Sequence, residues 1–160
     1  MDVIVIDICN TLADVNSVLE NIFGKRPKGI YRFPEATEEF FLNNLWVFAE
    51  AKAYRGAAAA LRRLASTYGI VYLTARPEVS DLITRDWLKD GMFPDGPVVY
   101  RTDKVVVARE LGAVRAIEDS PEEISNYELA GIPVMVHKQD YNSGYGNRFE
   151  WSHFRTLKGW

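Results

Sequence analysis

One cysteine in 160 residues excludes an intramolecular disulfide and any zinc site built from several thiolates. No run approaches the ~20 apolar residues that a membrane span needs, so no membrane partner is expected. Charge of either sign is scarcely in excess. The 19 Lys+Arg against 22 Asp+Glu leave a formal net charge of −3, which argues against extended nucleic-acid binding, because that needs a basic face. Asp2 stands where a secretory leader would carry basic residues, so a reducing, cytoplasmic setting is the expectation. Repeats, low-complexity tracts and linkers rich in Gly, Ser or Pro are also missing. Apolar surface, by contrast, is plentiful: 48% hydrophobic and 12% aromatic residues exclude disorder as the main state. A chain of this length buries roughly 68–70% of its unfolded surface, enough for one globular domain.

Residues 3–6, Val-Ile-Val-Ile, form a β-branched run that stops at Asp7, the pattern of a strand buried on both faces of a parallel sheet. Similar runs recur at Ile70–Leu73, Pro97–Tyr100, Val114–Ile117 and Pro133–Val136, with helical periodicity between them. Strand alternating with helix predicts an α/β doubly wound parallel sheet, with ligands bound beyond the carboxyl ends of its strands. Gly69, Gly112 and Gly131 each close a helical pattern and are expected as helix C-caps. From Asp14 to about Tyr54 the alternation breaks into two amphipathic stretches joined by Gly24-Lys-Arg-Pro-Lys-Gly29. The predicted division is a core of residues 1–13 and 55–160 and a small helical cap of residues 14–54, inserted after strand one and lying over the strand ends.

The residues just past each strand carry the chemistry. Strand one delivers Asp7-Ile-Cys-Asn-Thr11, strand two Thr74-Ala-Arg76-Pro77, the next Arg101-Thr-Asp-Lys104, and the fourth Glu118-Asp119-Ser120-Pro121. In a parallel sheet these groups meet on one rim. Carboxylates, a hydroxyl and an ammonium gathered there suit a phosphate and a divalent cation, since Mg²⁺ takes hard oxygen ligands from one or two carboxylates and the substrate. Ser120, Pro121 and Glu123 also fit a helix capping box.

The order and spacing of these motifs resemble the haloacid dehalogenase superfamily of phosphohydrolases. A narrower similarity, to 5'(3')-deoxyribonucleotidases, rests on Leu12-Ala13-Asp14, Arg101-Thr-Asp-Lys-Val105, Tyr141-Asn142 and Trp151. Thr74-Ala-Arg-Pro-Glu78 and Trp87 are similar to phage-type polynucleotide 3'-phosphatase domains. The resemblance implies a Mg²⁺-dependent phosphatase acting on a small phosphate ester, with a (deoxy)nucleoside monophosphate as the leading substrate. It makes Asp7 the nucleophile that forms an aspartyl-phosphate. Asp7, Asp119 and the backbone carbonyl of Cys9 would be metal ligands, with Glu118 binding the metal directly or through a water. Thr74 and Lys104 would hold the transferring group, and Asn10 and Thr11 would shape the loop around it. Arg76 could contact a substrate anion or cap a helix. A homodimer is compatible with this reading.

The sequence also departs from that pattern. Cys9 stands where these phosphatases carry a second Asp, the acid for the leaving oxygen and base for the attacking water. A thiol is a poor substitute, and losing an acid–base group costs roughly 10²–10⁴-fold in rate. A weakly active or non-catalytic nucleotide- or anion-binding protein is therefore the alternative. A carbon–halogen or carbon–phosphorus hydrolase is a third reading, the latter requiring Lys25 or Lys28 at the site. Phe33, Phe40, Phe41, Trp46 and Tyr54 would either line a nucleobase pocket or form the small core of the cap.

Overall fold

The structure, a computed structural model, describes residues 1–156. Six parallel strands run in the order β5-β4-β1-β6-β7-β8: β1 (Val3–Ile6), β4 (Gly69–Thr74), β5 (Val98–Tyr100), β6 (Ala113–Glu118), β7 (Val134–His137) and β8 (Arg148–Phe149). The β-branched run of β1 takes the centre of the sheet because both of its faces are buried. Ile4 and Ile6 join one apolar layer and Val5 the other, as a period of two requires. In β4, Ile70 and Tyr72 repeat the first choice, and Val71 and Leu73 the second.

Helices cover both faces. On the layer of Ile4 and Ile6 lie α4 (Ala57–Leu64), through Ala57, Ala60, Leu61 and Leu64, and α5 (Asp81–Asp90), through Leu88. On the layer of Val5 lie α6 (Lys104–Glu110), through Val107 and Ala108, and α7 (Pro121–Leu129), through Ile124 and Tyr127. Burying a Leu or Ile side chain contributes about 1.5–3 kcal/mol, so these two layers hold the sheet between them. No helix among the described residues is long and apolar enough to cross a membrane.

The chain leaves β1 for β4 on one side and later builds β6, β7 and β8 on the other. The carboxyl end of β1 is thus a topological switch point, where a doubly wound sheet opens a crevice. Between β1 and β4 run the two-residue strands β2 (Ala13–Asp14) and β3 (Lys52–Ala53), paired antiparallel, and between those α1 (Val15–Phe23), α2 (Glu38–Asn43) and α3 (Trp46–Glu50). The β2–β3 pair closes residues 14–54 into a loop with adjacent ends. Asp14 caps α1 by accepting from Ser17 N at 3.2 Å, and Thr37 caps α2 by accepting from Phe40 N. Phe23, Phe40, Phe41 and Phe48 pack ring to ring at 5.0–5.4 Å as the spine of this segment.

Two expectations about helix ends are corrected. Gly112 and Gly131 do take positive φ just past α6 and α7, but Gly69 is the first residue of β4, paired with Val3. The turn after α4 is instead completed by the amides of Ala65 to Tyr68, which bond back to the helix carbonyls. Pro121 opens α7 as expected, yet Ser120 makes no side-chain cap; its amide donates to Glu118. Gly56, at φ +89° before α4, is required by close approach: a Cβ there would lie 2.9 Å from the carbonyl oxygen of Trp151.

Candidate functional site

Asp7 stands one residue beyond β1, its amide bonded to Ile117 O of the neighbouring strand at 3.0 Å. The chain then turns sharply. The amides of Thr11, Leu12 and Ala13 all point at the carbonyl of Ile8, and Asn10 sits at φ +60°, a region asparagine tolerates better than most residues. His137 Nδ1 and Gln139 Nε2 bond the carbonyl of Asn10 at 2.8 and 2.9 Å, and Trp151 Nε1 donates to the carbonyl of Thr11 at 2.7 Å. The loop that carries Asp7 is therefore fixed from three directions.

Lys104, at the first position of α6, reaches across the rim and donates to Asp7 Oδ1 at 2.6 Å and Glu118 Oε2 at 2.9 Å. All three groups are buried. Glu118 Oε1 accepts from the amides of Asp119 and Ser120 at 2.9 and 3.1 Å. Asp119 accepts from Thr11 Oγ1 at 2.9 Å and from Tyr141 OH at 2.5 Å, while its own carbonyl accepts from Asn142 Nδ2. Carboxylate oxygens of Asp7, Glu118 and Asp119 lie within 4.8 Å of one another.

Three buried carboxylates against one ammonium leave unbalanced negative charge, and the protonation behaviour shows it. Burial, then the charge of Glu118, pushes the Asp7 carboxyl up to about 6 against the pull of Lys104. Burial and the charges of Glu118 and Asp7 raise Asp119 well above the usual carboxylate range. Burial alone would lower Lys104, but Asp7 and Glu118 outweigh it and hold the ammonium well above its ordinary value. Hard oxygen donors at this spacing, short of positive charge, fit a divalent cation of the Mg²⁺ type.

Cys9 lies outside that cluster. Its Sγ accepts from Arg76 Nε at 3.2 Å, and burial raises its pKa despite the guanidinium. Arg76 is buried, with its amide on Thr74 Oγ1, its Nη1 on Thr84 Oγ1 at 3.1 Å, and its guanidinium 4.4 Å from the centre of the Phe48 ring. It caps no helix.

These groups border a pocket of about 600 Å³ whose floor includes Asp7, Thr74, Lys104 and Glu118 and whose opposite wall comes from residues 15–48. Phe33, Phe41 and Phe48 face it. Phe40 packs between Phe23 and Phe41, Trp46 is about half exposed, and Tyr54 packs at a tilt against His137 and accepts from Gln139. The aromatic residues thus divide between pocket and core. Lys25 and Lys28 are exposed and border no part of this pocket, which removes the lysine that the carbon–phosphorus reading required.

Sequence reasoning missed Tyr141, Asn142, His137 and Gln139 as site residues. The signal was available: β7 ends at His137, so residues 137–142 leave the same rim as the four segments assigned to the site from their place after a strand. It missed Asn16 and Phe48 as well, which take their place only through the packing of residues 14–54.

No family model matches the chain, and no curated protein is found to be similar. Solved structures do match. A protein of Thermotoga maritima assigned as a beta-phosphoglucomutase superposes with a TM-score of 0.65 at 18% identity, over 96% of both chains. A haloacid dehalogenase-like hydrolase of Streptococcus pneumoniae gives 0.62 at 16%, over 88% of this chain and 86% of that one. The class C acid phosphatase of Bacillus anthracis gives 0.60 at 17%, over 99% and 80%. The chain has the fold of haloacid dehalogenase-superfamily hydrolases.

Proposed function

We propose that the protein is a Mg²⁺-dependent phosphohydrolase that cleaves a small phosphate ester, a (deoxy)nucleoside monophosphate first among candidates, by way of an aspartyl-phosphate on Asp7. The observation that carries this reading is the buried Asp7–Lys104–Glu118 cluster at the floor of a pocket walled in part by phenylalanine rings, with the Asp119 carboxylate within 4.8 Å of those of Asp7 and Glu118. Asp7, Glu118, Asp119 and the carbonyl of Cys9 would hold the cation, which supplies charge neutralisation and orientation of the phosphate. Lys104 keeps the Asp7 carboxylate turned toward the pocket and offers a second positive charge to the transferring group, and Thr74 offers a hydroxyl beside it. Asn10 and Thr11 set the curvature of the loop. Residues 14–54 act as a cap, with Phe33, Phe41 and Phe48 against the organic part of the substrate and water excluded from the floor. The solved structures of hydrolase fold support the reaction class, and the nucleotide preference rests on the aromatic wall and the flanking motifs.

The test is phosphate release from a generic aryl phosphate and a panel of phosphorylated metabolites, deoxynucleotides included, with and without Mg²⁺. Release that depends on the metal and is abolished by Asp7→Asn is the expected outcome; turnover surviving that substitution removes Asp7 as the nucleophile. One observation favours a second reading, a binding protein of little or no activity. The thiol of Cys9 is tied to Arg76 rather than free to serve the leaving oxygen. Undetectable release with retained Mg²⁺-dependent nucleotide binding would select it.

A further inference from the structure

We propose that Arg76 and Asn16 form a second subsite in the pocket, one that binds an oxyanion carried by the substrate in addition to its phosphate. The inference rests on the phosphohydrolase reading and narrows its substrate class to phosphate esters that bear a carboxylate or a second phosphate.

Two facts about donors carry it. Arg76 is 4% exposed and Asn16 9%, and both border the pocket. Arg76 Nη2 and Asn16 Nδ2 have no hydrogen-bond partner among the described residues. A buried N–H group without an acceptor is costly, and native structures rarely keep one without a reason. Here the side chains that carry two such groups line one pocket, and both groups are donors, so a ligand that satisfies them must present acceptors. The amide of Asn16 accounts for part of its placement: it donates to Asn10 Oδ1 at 2.8 Å, which anchors the start of α1 to the Asp7 loop.

Charge then selects the kind of acceptor. Lys104, the other buried cation of the pocket, is matched by two carboxylates. Among the described residues, Arg76 bonds only a thiol sulfur and a hydroxyl through its side chain, and Phe48 and Trp87 lie against it at 4.4 and 5.9 Å. A permanent cation in such surroundings is short of an anion. The position argues that this anion is not the phosphoryl group on the floor. The guanidinium lies between Cys9 and the Phe48 ring, on the way from the rim to the wall of residues 15–48, and Asn16 belongs to that wall. A carboxylate matches a guanidinium edge with two oxygens, and a phosphate does so as well.

Paired substrates that differ only in the second group supply the test. Glycerol 3-phosphate is compared with 3-phosphoglycerate, and deoxyadenosine 5'-monophosphate with its 3',5'-bisphosphate. Each pair is measured by kcat/KM, and by calorimetric binding so that the comparison does not depend on turnover. The subsite predicts a preference of about tenfold or more for the oxyanion-bearing member of at least one pair, since a charge-assisted hydrogen bond is worth that much. Asn16→Leu and Arg76→Met should bring the ratio toward one, with Arg76→Lys restoring part of it; thermal melts show whether each variant folds, and Asn16→Leu alone suffices if Arg76→Met does not. A ratio near one in both pairs for the unsubstituted protein overturns the subsite while leaving the phosphohydrolase reading intact. Failure of that reading looks different: no phosphate is released from any ester, and the binding ratio alone then decides the subsite. Absence of binding by all four esters overturns it.

Discussion

The floor of the pocket and its facing wall are built on opposite principles. On the floor, the oxygens that hold Glu118 and Asp119 in place are each engaged, Glu118 by two amides and Lys104, Asp119 by Thr11 and Tyr141. On the wall, phenylalanine rings stand beside Asn16, and Asn16 Nδ2, like Arg76 Nη2 next to the wall, has no hydrogen-bond partner among the described residues. Side chains that must act in a fixed geometry are locked by the chain itself, because a buried polar network is rigid only when it is satisfied. Surfaces that must accept a varied organic group keep their donors in reserve. Under the proposed function, the difference would separate the part of the site that performs chemistry from the part that chooses the substrate.

That separation can be broken most forcefully at Lys104. Replacing it with Met leaves three buried carboxylates without their cation, so Lys104→Met should abolish phosphate release and destabilise the metal-free protein by about 3–5 kcal/mol, read by denaturant melts. Added Mg²⁺ should restore part of that stability, because the cation takes over the missing charge; an unchanged melting curve would show that the floor is not held by this pairing.

Cys9→Asp sharpens the comparison from the other side. It adds an acid–base group where the floor meets the wall, and turnover should rise by about 10²-fold if the protein is limited by the absent acid. The guanidinium 3.2 Å from this position will favour the ionised form of the new carboxyl and lower its pKa. The gain should therefore be larger in mildly acidic than in alkaline buffer, which a pH–rate profile reveals. Loss of turnover on this substitution would argue that the thiol itself is needed.

A smaller effect is expected at Tyr141→Phe, which deletes the 2.5 Å bond to Asp119. A hydrogen bond to a charged group contributes about 1.5–3 kcal/mol, and the loss should appear mainly as weaker Mg²⁺ binding. Equal Mg²⁺ affinity in the two proteins would confine Tyr141 to packing.

The smallest effect concerns His137 and its pH dependence. Burial lowers its pKa despite the bond to Asn10, so below about 6.5, the ordinary histidine value, the unfolded chain binds a proton that the folded one resists. Stability contributed by the neutral ring is present above that pH and is lost as pH falls through it. His137→Gln should flatten that part of the stability profile, read by denaturant melts across that pH range.

The floor was readable from the chain and the wall only in part: Phe33 and Phe41 stood among its candidates, Asn16 and Phe48 did not. Val3–Ile6 ending at Asp7, and Ala113–Glu118 ending in an acidic pair, place their side chains by strand direction alone, since every parallel strand hands its next residues to the same rim. The wall depends on how residues 14–54 fold back, and that is set by a two-residue strand pair and a row of phenylalanines with no periodicity of their own. Arg76 shows the boundary between the two. Its place after β4 comes from the strand, but its orientation is decided by Phe48, Thr84 and Cys9, from three separate elements. Tyr141 lies between the two cases: strand direction brings residues 137–142 to the rim, but its contact with Asp119 depends on a 3-10 turn four residues past β7 whose course the strand pattern does not specify.

The contact between Arg76 and Cys9 also constrains how this protein can change. A residue introduced at position 9 meets a guanidinium, and a residue introduced at position 76 uncovers a half-buried thiol, so neither substitution has a fixed sign apart from the other. A lineage gaining an acid at position 9 first would meet one fitness landscape, and a lineage losing Arg76 first another. Positions 67 residues apart are thereby coupled, so the effect of a substitution at one depends on which residue stands at the other.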